Sequence, residues 1–138
     1  MKAFLLVLVR PDVDVADEAA LRAAVAAAMA PHAEASDDPG EDAGDHGRAR
    51  RWDYYLLCTR DILPEWPDPA FTARAPDGPR VARAGDVRAW PHALLTPDGR
   101  WHESRATYQA TDPHWPATAA GLVAPYADHH ALLVLYHA

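Results

Sequence analysis

Cysteine, clustered basic charge and long apolar runs are all scarce in this sequence. Cys58 is the only cysteine among 138 residues, so no disulfide forms within the chain. The absence of an internal disulfide fits a protein of the reducing cytoplasm. The formal charge of −7 disfavours binding to nucleic-acid backbones, which require a clustered cationic face. The apolar run Ala3–Val9 is too short to cross a bilayer. We therefore predict a cytoplasmic protein that binds neither nucleic acid nor membranes.

Motifs of common enzyme and metal sites are also missing. The sequence has no phosphate loop with a following Lys-Ser, no nucleophile elbow, no His-Glu-x-x-His and no cysteine pair. Several imidazole and carboxylate groups suit zinc, iron or nickel, but their spacing is not that of a metal site. They are His102, Glu103, His114, His129, His130 and His137. We predict no metal and no cofactor, and a histidine-liganded metal protein stays as the weaker alternative.

Apolar residues are abundant, at 49% of the chain, and a chain of this length suits one domain over residues 1–138. Residues 33–50 are acidic and polar and cannot bury enough apolar surface to order themselves alone, so we predict a flexible loop. Residues 61–91 form a proline-rich insertion. Such long connections are uncommon in compact domains, which indicates a cover or lid.

Four segments have strand patterns. Ala3–Val9 and Ala131–Tyr136 are continuous apolar runs, typical of strands that are covered on both faces. Arg51–Cys58 is rich in aromatic and aliphatic residues. Pro91–Ser104 predicts a hairpin that turns at Thr96-Pro97-Asp98-Gly99, because proline presets one corner and glycine accepts a positive φ at the next.

Two segments have helical patterns. The first helix is predicted to begin after Asp14 or Asp17 and to run to about Ala30. The second is predicted to be capped by Thr111 or Asp112. Their buried sides repeat at helical spacing and comprise Leu21, Val25 and Met29 in the first helix and Trp115, Ala119, Leu122 and Tyr126 in the second.

This order of elements predicts an α+β protein of the ferredoxin-like type, βαβ–insertion–ββαβ. In that plan the hairpin lies in the middle of an antiparallel sheet and both helices lie on one face. The first and last strands are nevertheless apolar on both sides. The second face must therefore be covered, by the insertion or by a second copy of the chain in a homodimer.

Several segments, covering roughly half of the chain, carry a resemblance to a known family. They are Trp52-Asp53-Tyr54-Tyr55 with Arg60, Ala82-Arg83-Ala84-Gly85-Asp86, Asp98-Gly99-Arg100-Trp101-His102-Glu103 and Leu132–His137. On these residues the chain resembles an uncharacterised family of small proteins from actinobacteria and their phages. The resemblance implies a phage-associated origin and a shared fold, but no reaction. Where that family carries Gly-Gly-Arg-Trp, this chain has Cys58-Thr59-Arg60-Asp61, and its last strand lacks the family's Asp-Cys-His ending.

Four polar residues are candidates for acid–base chemistry if the protein is an enzyme. Strand ends are expected to bring together Arg60, Asp86, Glu103 and His137, and each such group can move its neighbour's pKa toward neutrality. The alternative is an ion-pair network that fixes the strand ends. Cys58 ends an apolar strand and is interpreted as a small buried hydrophobe rather than a nucleophile.

Tryptophan is the strongest candidate for binding. Trp52, Trp66, Trp90 and Trp101 are candidate binding residues, and prolines flank both Trp66 and Trp90 in the insertion. We therefore predict an accessory or modulator protein that binds a protein partner through an open sheet face or the aromatic insertion. The alternative is a small enzyme with a pocket between the sheet and the insertion.

Overall fold

The structure, a computed structural model, describes residues 2–33, 51–62, 66–107 and 109–138. The strands are β1 (Lys2–Val9), β2 (Tyr54–Leu57), β3 (Thr72–Ala73), β4 (Arg80–Arg83), β5 (Ala93–Leu95), β6 (Trp101–Glu103) and β7 (His130–His137). The helices are α1 (Glu18–Met29) and α2 (Trp115–Val123), and 3₁₀ turns cover Ala30–His32, Ala84–Asp86 and Ala124–Tyr126. Residues 34–50, most of the predicted flexible loop, lie outside the described residues.

The described strands form one mixed sheet around a central antiparallel pair. β1 and β7 pair from Lys2↔His137 to Val9↔His130. β5 lies parallel to β1 on its other side, and β6 closes that edge. Along the outer side of β7, β2 and β4 each pair with a different part of the strand, and β3 pairs with β4. No helix in the described ranges is both long and apolar enough for a membrane span.

The predicted α+β class is confirmed, and the two end strands and the hairpin do share one sheet. The structure differs from the ferredoxin-like plan in three ways. It has more strands, and the hairpin lies at an edge of the sheet rather than in the middle. The two helices lie on opposite faces rather than on one. The reason is that β1 and β7 are apolar on both sides, so each face receives a helix. In addition, part of the insertion joins the sheet as β3 and β4.

Helix α1 covers one face, which we call the α1 face. Its buried residues, Leu21, Val25 and Met29, pack on the odd-numbered side chains of β1. The four-residue spacing places them on one side of the helix, as predicted. Asp17 is the N-cap, and its Oδ1 accepts a hydrogen bond of 3.1 Å from the backbone N–H of Ala20.

Helix α2 and the insertion cover the opposite face, which we call the α2 face. Trp115, Ala119 and Val123 pack here with Leu6 and Leu8 of β1, together with insertion residues. The insertion contributes Phe71 and Val87. The second face of the sheet is thus covered largely by this chain itself.

The start of α2 is later than predicted. The helix begins at Trp115, and His114, the N-cap, makes no side-chain capping bond. Asp112 instead accepts hydrogen bonds from the backbone N–H groups of Arg105 and His114, so it fixes the turn that precedes the helix. At the hairpin, Gly99 has φ of +85°, the left-handed conformation predicted for this turn.

Asp68 fastens the insertion. Its side chain is 3% exposed, and its carboxylate accepts hydrogen bonds from the backbone N–H groups of Ala70, Arg88 and Ala89, at 3.1, 2.6 and 2.9 Å. Burial alone would raise the pKa of Asp68, but these donors outweigh it and hold the pKa below its usual value. One carboxylate therefore joins two distant parts of the insertion.

Candidate binding surface at one corner of the sheet

The four predicted catalytic residues are not brought together. Arg60 follows β2 and lines a hollow with Asp68 and Arg80. Asp86 lies in the 3₁₀ turn after β4. Glu103 and His137 lie at the same end of the sheet, and each has a partner that is not among the four.

Glu103 belongs to a structural network on the α1 face. Its Oε1 accepts hydrogen bonds from Nη1 of Arg51 at 3.2 Å and from Nε1 of Trp101 at 2.9 Å. The Trp101 ring contacts Tyr136 edge to face. Trp52 is likewise fixed, because its Nε1 donates to the carbonyl of Met29 at 2.8 Å. Trp101 and Trp52, both predicted to bind a partner, therefore serve packing on this face.

Tyr136 is the buried centre of that network. It is 1% exposed, and its hydroxyl has no hydrogen-bond partner among the described residues. Burial, and to a lesser degree the Glu103 carboxylate, raises the pKa of Tyr136 to about 12. The hydroxyl stays protonated at neutral pH.

Cys58 is also fully buried, and burial raises the pKa of its thiol to about 12, so it is not a reactive nucleophile.

His137 pairs with Asp53 rather than with a predicted partner. Its Nδ1 donates to Oδ1 of Asp53 at 2.8 Å, and its ring stacks on Tyr54 with centroids 5.0 Å apart. The hydrogen bond from His137 lowers the pKa of the Asp53 carboxyl. Sequence reasoning missed Asp53 because the pair depends on the register between β2 and β7.

Two exposed apolar side chains mark a corner of the α2 face. Tyr54 is 43% and Leu56 48% exposed, and they are the large hydrophobic residues exposed within the described ranges. Directly paired residues of neighbouring strands share a face. Leu56 is opposite Leu135, which is opposite Phe4 of β1. An apolar row thus crosses three strands, and a second row, Tyr54, His137 and Lys2, runs beside it.

Among the described residues, strand β2 lies at an edge of the sheet. It pairs with β7 on one side, and no strand of the described segments pairs with its other side. Exposed edges in soluble proteins are usually protected by lysine, proline or an inward-pointing charge. The four residues of β2, Tyr-Tyr-Leu-Leu, include none of these. The edge and the apolar row together form what we call the β2 corner, namely Tyr54, Leu56, Leu135, His137 and Phe4.

An aromatic hollow adjoins the β2 corner. Phe4, Trp66 and Trp90 line a hollow of about 500 Å³ on the α2 face, with Lys2 and His92 also in its wall. The Phe4 and Trp66 rings are 5.9 Å apart. Nε1 of Trp66 is buried without a described acceptor. Of the four tryptophans predicted to bind, the structure therefore brings Trp66 and Trp90 together around one hollow.

Most of the histidines considered as metal ligands have other partners, as His137 has in Asp53. His129 donates to Asp128, His130 to the carbonyl of Pro11, and Nε2 of His102 lies 3.2 Å from the Thr96 hydroxyl. Within the part of the chain that the structure describes, no three His, Cys, Asp or Glu side chains are grouped so as to hold a metal ion.

Comparison of the chain with protein-family models, with curated proteins and with solved structures finds no match in any of the three. The β2 corner and the aromatic hollow are the features of the described residues that indicate a binding function.

Proposed function

We propose that this chain is an accessory or modulator protein that acts by binding an extended segment of a partner protein along the open edge of β2. The observation that carries the proposal is an edge strand, β2, whose outer side pairs with no strand among the described residues and whose exposed face bears Tyr54 and Leu56. A partner strand added here gains main-chain hydrogen bonds from the edge. Its alternate side chains gain apolar contacts from the β2 corner.

The aromatic hollow adds selectivity. Phe4 lies in the same cross-strand row as Leu56 and also lines the hollow, so a partner chain that continues from the β2 edge across the α2 face contacts Trp66 and Trp90 there. Aromatic anchors that fill a pocket contribute most of the energy in many protein interfaces. The preferred partner segment is therefore extended and carries a large apolar side chain next to its paired stretch.

A photo-crosslinking amino acid in place of Leu56 tests this proposal. In cells of the native host we expect a covalent adduct of discrete mass, because the side chain at this position faces the bound partner. The same amino acid in place of Ala23, an exposed position on α1, is the matched control and forms no such adduct. In the protein that carries the crosslinking amino acid at position 56, the further substitution Tyr54→Lys lowers the adduct yield at least tenfold, since the lysine charge would be buried in the interface.

Two results would contradict the proposal. Equal adduct yields from positions 56 and 23 indicate non-specific contact. An adduct of twice the chain mass shows that β2 pairs with a second copy, so the open edge is a dimer interface rather than a partner site. Far-ultraviolet circular dichroism of the Tyr54→Lys protein checks that the loss of adduct is not caused by unfolding. We expect an unchanged spectrum, because Tyr54 is exposed.

An acid–base enzyme is the second candidate, and the paired His137 and Asp53 favour it. A carboxylate that orients an imidazole through Nδ1 leaves Nε2 available as a general base. We expect slow hydrolysis of an activated ester, lost in both His137→Gln and Asp53→Asn, while His129→Gln retains it. His129 is a matched control because it also pairs with an aspartate. Activity that survives His137→Gln rules out this candidate.

A further inference from the structure

We infer that a second hollow, on the outer side of the insertion, binds an organic phosphate that carries a planar ring. This hollow has a volume of about 550 Å³ and is lined by Arg60, Arg74 and Arg80 with Trp66, Phe71 and Asp68. It is distinct from the β2 corner and does not depend on the function proposed there, although Trp66 borders both this hollow and the aromatic hollow.

Charge is the first argument. Arg60 and Arg74 line one hollow together with Arg80, in a chain whose formal net charge is −7. Asp68, the carboxylate among the described lining residues, already accepts three backbone hydrogen bonds. Within the described residues, Arg60 and Arg74 make no ion pair with a carboxylate. Arginine binds phosphate oxygens through two parallel hydrogen bonds, so these side chains suit a phosphate dianion.

The aromatic residues indicate what accompanies the phosphate. Phe71 is 7% exposed, so it forms a fixed apolar part of the wall, and Trp66 adds an indole beside it. Nε1 of Trp66 is a buried donor without a described acceptor. Indole and guanidinium groups both stack on planar rings. A nucleoside monophosphate has both the anion and the ring that this wall accommodates, whereas an extended nucleic-acid strand would meet the negative remainder of the surface.

Isothermal titration calorimetry of the full chain tests the inference. The three probes are AMP, inorganic phosphate and adenosine, and each titration is done at low and at high salt. We expect AMP to bind more tightly than inorganic phosphate, adenosine to bind very weakly, and the affinity for AMP to fall as salt rises. Arg60→Gln and Arg74→Gln are each expected to weaken AMP binding about tenfold, the loss typical of one charged hydrogen-bond donor. Arg100→Gln is the matched control, since Arg100 is an exposed arginine at the hairpin, and it leaves the affinity unchanged.

The outcomes are separable. Absence of AMP binding, or equal affinity in the wild type and the Arg60→Gln/Arg74→Gln double variant, overturns the site. Equal affinity for phosphate and AMP overturns the assignment of the planar ring. Arg60→Lys keeps the charge but not the paired hydrogen bonds, so an affinity between those of wild type and Arg60→Gln supports recognition by guanidinium geometry.

Discussion

Asp68→Ala is expected to lower the free energy of unfolding by about 3 kcal/mol and the melting temperature by about 10 °C. The substitution leaves the backbone N–H groups of Ala70, Arg88 and Ala89 without their acceptor. A buried donor that loses its partner typically costs about 1–3 kcal/mol, and partial access to water at the insertion reduces the total. Chemical denaturation followed by tryptophan fluorescence measures the change.

The stability measured at acidic pH provides a control for the Asp68→Ala result. Because the pKa of Asp68 is lower in the folded chain, its contribution is present above the unfolded pKa of about 4 and is lost as the pH falls through the folded value. Asp68→Asn keeps one acceptor oxygen, so it is expected to lose less stability than Asp68→Ala at pH 7. The difference between wild type and Asp68→Asn is expected to shrink toward pH 2. A difference that stays constant would show that the carboxylate charge is not what holds the insertion.

Trp115→Ala is expected to destabilise the fold by about 3–5 kcal/mol, because it removes a large side chain from the α2 face. Trp115 is 7% exposed, and its Nε1 donates a buried hydrogen bond of 2.7 Å to the carbonyl of Pro91. That bond connects the first turn of α2 to the segment entering the hairpin. Removing the indole therefore loses packing and leaves a buried carbonyl unpaired. Urea unfolding with circular dichroism detection measures the loss.

Trp115→Phe separates the two contributions. Phenylalanine keeps most of the apolar contact but has no N–H group, so the expected loss is about 1–2 kcal/mol. Trp90 lines the aromatic hollow and is partly exposed, so Trp90→Phe serves as the comparison and is expected to change stability by less than 1 kcal/mol. If Trp90→Phe cost as much as Trp115→Ala, the hollow would be part of the core rather than a binding surface.

Local periodicity made much of the fold predictable. The repeat of Leu21, Val25 and Met29 predicts α1 without reference to the rest of the chain, and the structure confirms it; of the two predicted caps, Asp14 and Asp17, the N-cap is Asp17. The face that α2 occupies was not predictable in the same way. It depends on which strands become neighbours, and the parallel pairing of β1 with β5 has no local signal. Residues 81–87 contain the end of β4 and then a 3₁₀ turn, and the local sequence pattern favours neither a strand nor a turn over the whole segment.

The candidate site was predictable where neighbouring residues carried the signal. Prolines beside Trp66 and Trp90 indicated an aromatic insertion, and the structure places both rings around one hollow. The acid–base group was not predictable, because His137 meets Asp53 only through the register of β2 on β7. A shift of that register by one residue would turn the side chains of β2 to the other face of the sheet and move Asp53 away from the imidazole.

The central antiparallel pair has a consequence for synthesis on the ribosome. β1 is translated well before β7, yet the two strands pair along their full lengths. Until β7 emerges, the nascent chain exposes a strand that is apolar on both faces, and closing so long a loop slows folding. We therefore expect folding to be completed only after translation of β7, with chaperones holding the N-terminal segment until then.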